Sequence, residues 1–374
     1  MYRANVQRTG VYQTQGVRQL HGIKWSLELP IGLMYCYPAV GEGILCLVGS
    51  DQHLYAIDLL SRKVRWNVNT GSTSFSSPVI ADGLVYITDF TEQALLALDL
   101  RTGAERWQIK TDYTPAAALQ TSVAIQDGIL YTGLGDGNLY ALAAQTGEFL
   151  WGFNTRVPVP LSPPAIANGV LCINNIEGDV YGVDLTHRQL LWHKPLPAPL
   201  PMLFTCPAIA AGVVYLVGGD GHLYALSLRS GEVQWRMPIG ALTSVAICGD
   251  WFCVGQGEGN LFAVNQQTAQ TWTLETGHYG VNPSPVIADG VVYFGDRGPL
   301  IAVDLQTGKR LWEFAAPDSE FDLFRPQNWG MQLLDQIAKF NTEDRFTFSG
   351  FSVPVVSDGM VYVGSSYGHL YALH

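Results

Sequence analysis

Eight tryptophans recur along this chain at nearly constant spacing: Trp25, Trp66, Trp107, Trp151, Trp192, Trp235, Trp272 and Trp312. The steps are 41, 41, 44, 41, 43, 37 and 40 residues, and only Trp251 and Trp329 fall outside the series. A period near forty marks a chain assembled from copies of one supersecondary unit, each too small to bury its own apolar face.

Each copy carries the same text. Ser284-Pro285-Val286-Ile287-Ala288-Asp289-Gly290 leads to Leu300-Ile301-Ala302-Val303-Asp304, then Thr307-Gly308 and Trp312. Ser77-Pro78-Val79-Ile80-Ala81-Asp82-Gly83, Leu95 to Asp99, Thr102-Gly103 and Trp107 repeat it. Short runs rich in Val, Ile, Leu and Tyr are cut by Asp-Gly, Asn-Gly and Thr-Gly pairs, which favour tight turns with positive φ. Four short antiparallel strands per unit predict a propeller blade. Seven units are complete and the eighth is split. Ser352 to Leu373 matches a repeat that stops before its Trp, and Trp25 supplies the missing one. The reading is all-β: an eight-bladed propeller of four-stranded antiparallel blades, one domain over 1–374, closed by the N-terminal strand completing the last blade. Residues 24 to 29 are expected to pair with the strand containing His369 to Leu373, leaving no open sheet edge.

The eight tryptophans read as structural. A large ring on the outer strand can pack against the next blade and bury roughly 150–250 Å². Asp58, Asp99, Asp184 and Asp304 each start a turn that the residues after them complete. Ala143, Ser227 and Asn265 replace the carboxylate in other copies, which suits a turn role over a catalytic one.

The motif Ala-x-Asp-x-x-Thr-Gly-x-x-x-Trp resembles the tryptophan-docking motif of the pyrroloquinoline quinone (PQQ)-like repeat propellers. The opening Arg3-Ala4-Asn5-Val6-Gln7-Arg8-Thr9-Gly10-Val11-Tyr12 is similar to the lead-in segment common in that family. The resemblance covers essentially the whole chain and implies the fold. It does not imply one activity, since the family includes quinoprotein dehydrogenases, an assembly lipoprotein and kinase-attached sensor domains. Members that hold the quinone resemble one another in a vicinal Cys-Cys ring against the cofactor, a Glu and an Asn on calcium, and an Asp base. This chain has no adjacent cysteines, lacks the long insertions of a closed cofactor chamber and shows no export signal. No cofactor is therefore expected, PQQ included.

Charge narrows the partners. Net charge is −11, which argues against nucleic acid or an anionic membrane surface. No apolar stretch approaches the ~20 residues of a spanning helix. With Met1 as native start, the N-terminus lacks a signal peptide and a cytoplasmic location is expected. Cys46, Cys172 and Cys253 occupy the slot held by Tyr86, Tyr131, Tyr215, Tyr293 and Tyr362 in other copies and read as buried small hydrophobes. A monomer is expected.

No metalloprotease, phosphate-loop or nucleophile-elbow motif occurs, and no metal site is expected. Two features suggest recognition. The turns between second and third strands carry Asp51, Asp89, Asp136, Glu177, Asp179, Asp220, Glu258 and Asp296, a ring that would focus negative potential on one face. The alternative is that these acids recur as turn formers. The second feature is an insertion at 313–351, between Trp312 and the repeat starting at Ser352. It is expected to hold a short helix within about 329–340, with Asn328 as N-cap and Leu333, Leu334 and Ile337 facing the protein. It serves either as a plug over the channel or as a partner-binding element. Arg325, Trp329 and Tyr279, with Asp136, Asp220 and Asp296, are the candidate ligand- or partner-binding residues. The function expected is a non-catalytic binding or scaffold propeller that engages a protein or small ligand through its loop-bearing face. The alternative is a quinoprotein-like oxidoreductase or ligand sensor with a small molecule at the central channel.

Overall fold

The computed structural model describes residues 3–29, 37–71, 77–89, 94–110, 122–134, 136–155, 162–175, 177–197, 205–241, 243–256, 259–276, 284–295, 299–317 and 351–374. The chain forms eight antiparallel blades of four strands each. The second blade shows the pattern: Val79–Ala81 innermost, then Leu84–Asp89, Ala94–Asp99 and Glu105–Lys110 outermost. The inner strand has three residues, because only a short strand fits near the axis. Sequential hairpins place each strand beside its predecessor, so every blade is a meander.

Closure is as expected in register. The strand Ile23–Glu28 pairs antiparallel with His369–Leu373, with Trp25 opposite Ala372 and Glu28 opposite His369. A departure lies in the seventh blade. Val11–Tyr12 adds to it as a fifth strand, parallel to Val286–Ala288, with Val11 opposite Ile287 and Tyr12 opposite Ala288.

One row of side chains explains the period. In the second blade Val79, Tyr86, Ala97 and Trp107 stand opposite one another across the four strands. Tyr86 and Trp107 hold their rings 5.9 Å apart, and Tyr293 and Trp312 repeat this at 5.7 Å. In the first, fourth and sixth blades Cys46, Cys172 and Cys253 fill the tyrosine position, all fully buried.

Several of the indoles then reach the next blade. Trp66 Nε1–H donates to Leu100 O at 3.0 Å, Trp107 to Ala144 O at 2.9 Å, Trp192 to Leu228 O at 2.9 Å and Trp272 to Leu305 O at 2.8 Å. Gly103, at φ 74°, lies under the ring of Trp66, where an added Cβ would stand 2.8 Å from Cδ2. Both the left-handed backbone and the close approach call for glycine there. The neighbouring Asp99 caps the same turn by accepting from Arg101 N–H, Thr102 N–H and the Thr102 hydroxyl at 2.9–3.0 Å. Asp304 does the same with Thr307, through N–H at 3.0 Å and hydroxyl at 2.8 Å.

Candidate functional site

An inner strand exposes one row of backbone groups to the axis, and buried N–H groups need partners. The opening segment meets this need on one side of the channel. The carbonyls of Val6, Gln7, Thr9 and Gly10 accept from Ile166, Ile209, Ile247 and Ile287 at 2.9, 2.9, 2.8 and 2.8 Å. Those four donors are the corresponding residues of the fourth to seventh inner strands, so residues 6–10 walk around the axis one blade at a time. Asn5 staples the loop, donating from Nδ2 to Thr9 Oγ1 at 2.6 Å and accepting from Thr9 N–H at 3.1 Å.

Two arginines lie inside. Arg8 is fully buried and donates from Nε to Pro164 O at 2.9 Å and from Nη2 to Val123 O at 2.7 Å. Arg3 is 3 % exposed and donates from Nη2 to Val245 O at 2.6 Å. All three acceptors are the last carbonyls before an inner strand or its first residue. Beside the segment a cavity of about 240 Å³ opens against the first and eighth blades, lined by Tyr12, Thr14, Val40, Val356 and Asp358. Burial raises the Tyr12 phenol above its ordinary range, and the charge of Arg3 pulls the other way.

On the loop-bearing face the acidic residues are engaged with their own turns. Asp51 accepts from His53 N–H at 3.1 Å and the Tyr55 hydroxyl at 2.7 Å. Asp220 accepts from His222 N–H at 3.2 Å and the Tyr224 hydroxyl at 2.7 Å. Asp136 accepts from Asn138 N–H at 3.0 Å and from the Tyr140 hydroxyl. Burial, and then the adjacent carboxylate, push Tyr55 and Tyr140 up to about 12. Asp179 instead takes the ring of His193, Nε2 to Oδ1 at 2.7 Å, and that ring stacks on Tyr181 at 4.8 Å. The acid-x-x-x-Tyr spacing was a legible signal for these caps. The expected ring thus includes at least three carboxylates that each hold a turn and a tyrosine. Of the other candidate residues, Arg325, Trp329, Tyr279 and Asp296 lie outside the described residues, as do Glu258 and the helix expected within 329–340.

A quinone with its calcium needs the donor set named above. The described cysteines, Cys46, Cys172, Cys206, Cys248 and Cys253, include no adjacent pair. Among the described residues no cluster of three His, Cys, Asp or Glu side chains could share a metal ion. The described residues do not fit that group.

A family model described as outer membrane protein assembly factor BamB matches residues 24–236 and 110–314. BamB of Yersinia pestis is 26% identical over 163 residues, 40% of this chain and 41% of that protein. Quinohemoprotein alcohol dehydrogenase ADH IIB of Pseudomonas putida is 31% identical over 134 residues, 31% of this chain and 19% of that protein. The matched stretches thus span less than half the length of these curated relatives. The crystal structure of BamB from Moraxella catarrhalis superposes with a TM-score of 0.69 at 14% identity, over 94% of this chain and 99% of that one. At that identity the likeness concerns the fold.

Proposed function

Since the chain belongs to the PQQ-like repeat family whose model is described as BamB, we propose that it works as a protein-binding scaffold without catalysis of its own. The observation that carries this reading is the filled half of the channel. Residues 6–10 bond four of the eight inner strands, and Arg8 is sealed among carbonyls. That interior is built as core. What remains for recognition is the rim, where the second-to-third-strand turns and the inter-blade connections share one face. Three of those turns carry Asp–Tyr caps, at Asp51, Asp136 and Asp220, and a capped turn loses less entropy on association.

The insertion is the second support. It is the one place where the sequence spends residues that the repeat does not require, and Arg and aromatic residues dominate interface hot spots. Arg325, Trp329 and Tyr279 are the residues we assign to partner contact, with Asp136, Asp220 and Asp296 supplying negative potential at the rim. The relatives named as assembly factors favour a protein partner over a small molecule.

The test uses cross-linking from the host extract with the full chain and with an Arg325→Ala/Trp329→Ala double variant. A protein captured by the first and lost by the second, at unchanged melting temperature, supports the proposal. A visible absorbance band in the purified protein, together with dye-linked alcohol oxidation, would replace it with the quinoprotein alternative.

A further inference from the structure

We propose that the central channel contains a binding site for a small oxyanion, a carboxylate or a phosphate, held by the guanidinium of Arg3. This goes beyond the scaffold reading, which takes the channel half bonded by residues 6–10 as core and assigns no ligand to the channel. The side chain of Arg3 is 3 % exposed, yet only Nη2 has a partner, Val245 O at 2.6 Å. Nε and Nη1 are buried with none. Among the described residues no ion pair engages it. A guanidinium cannot shed its proton to escape burial, and an uncompensated charge in a protein interior is strongly unfavourable. Neutral carbonyls satisfy Nε and Nη2 of Arg8 nearby. Arg3 takes one such carbonyl, Val245 O, and leaves Nε and Nη1 without any.

The backbone points the same way. Arg3 and Ala4 both take the left-handed conformation, φ 51° and 71°, which costs free energy for residues with a Cβ. That conformation is fixed by Asn5 N–H and Gly10 N–H, both donating to Arg3 O at 2.9 and 3.2 Å. A closed, strained turn therefore holds the guanidinium inside the ring. Ala4, the residue after Arg3, lines the 240 Å³ cavity, as does Tyr12, whose phenol feels the charge of Arg3. The one charged residue in the cavity lining, Asp358, lies on an exposed turn after its inner strand and would push an anion away from that end. An oxyanion of two to four oxygens suits both unpaired nitrogens, since charge-assisted N–H···O bonds are the strong ones.

The test is calorimetric titration of the full chain with inorganic phosphate and, separately, with citrate, at constant ionic strength in chloride. Saturable one-to-one binding of either is the expected result. Phosphate binding alone assigns a phosphate site, and citrate binding alone a carboxylate site. Arg3→Met should weaken binding by about tenfold or more, with Arg3→Lys in between, because lysine keeps the charge but loses the planar donors. Arg18→Met, which removes an exposed arginine paired with Asp304 at 2.9 Å, should bind like the wild type. Absence of saturable binding by either anion, or equal affinity in wild type, Arg3→Lys and Arg3→Met, overturns the proposal. So does an Arg3→Met protein that cannot fold, since that would make the guanidinium a structural element already satisfied in the native state.

Discussion

The indole Nε1–H of Trp312 donates to the carbonyl oxygen of Val17 across 2.7 Å, joining residues 295 positions apart. In four other pairs of blades that acceptor belongs to the residue after the turn-starting position, Asp99, Ala143, Ser227 or Asp304, namely Leu100, Ala144, Leu228 and Leu305. For Trp312 the acceptor comes from the N-terminal segment instead. The Val17 N–H in turn donates to the Tyr293 hydroxyl at 2.5 Å. His21 and Gly22 then bracket His374 by backbone bonds of 2.6 and 3.2 Å. The ring is thus fastened twice, by a strand and by a docked carbonyl.

Removing residues 1–28 takes away both fasteners and the buried arginines. The strand His369–Leu373 becomes an open edge, and aggregation is expected. Size-exclusion chromatography and a melting curve check this. A monomer with an unchanged melting temperature would show that the ring does not depend on the segment.

Trp107 is 9 % exposed and both packs on Tyr86 and bonds Ala144 O. Trp107→Ala should cost about 3–5 kcal/mol in chemical denaturation. Trp107→Phe keeps most of the packing and removes one of two donors to that carbonyl, the Tyr86 hydroxyl remaining at 3.1 Å, so its cost should be about 0.5–1.5 kcal/mol. Equal losses in the two variants would mean that the bond, and not the ring, carries the contact.

Acid lability should trace in part to the turn aspartates. The Arg106 guanidinium at 2.6 Å, then the Thr102 hydroxyl, bring Asp99 from 3.8 down to about 2. A depressed carboxylate stabilises the fold above its unfolded value, near pH 4, and that contribution disappears as pH falls toward 2. Asp58 and Asp184 are lowered as well, chiefly by the backbone N–H groups of Ser61 and His187. The melting temperature of the wild type should therefore fall between pH 4 and pH 2, and Asp99→Asn should fall less steeply. Parallel curves for the two proteins over that window would contradict the assignment.

The fold was written in side chains, and so could be read. Trp25 without a C-terminal partner, and Leu373 without a Trp, implied the closing strand before any coordinates. The acids of the loop face were visible too, but their engagement with Tyr55, Tyr140 and Tyr224 needed the i to i+4 spacing to be weighed as a hydrogen bond. The course of residues 3–14 was not legible. Val6, Gln7, Thr9, Gly10 and Val17 act through carbonyl oxygens, which every residue possesses, so no residue type marks them. Arg8 donates to the backbone carbonyls of Pro164 and Val123, and a carbonyl leaves no mark in the sequence that announces where it goes.

The final prediction concerns the thiols, where sequence and structure agree on a slot but only burial sets the chemistry. Cys46, Cys172 and Cys253 are all fully buried, and burial raises each thiol well above its ordinary value. Cys248 is only partly buried, and burial raises it too. Alkylation requires both thiolate and access. In a Cys36→Ser background at pH 8, native protein should be labelled slowly at Cys248, while Cys46, Cys172 and Cys253 stay unmodified until denaturant opens the blades. Peptide mass spectrometry across a denaturant series reads this directly. The three core thiols should become reactive together at the global unfolding midpoint, because each lies opposite a small residue in a row that ends on Trp66, Trp192 or Trp272 and cannot be opened without undocking that indole. Labelling of Cys172 well before Cys46 would instead identify the fourth blade, where Gly182 lies against Trp192, as a unit that opens on its own.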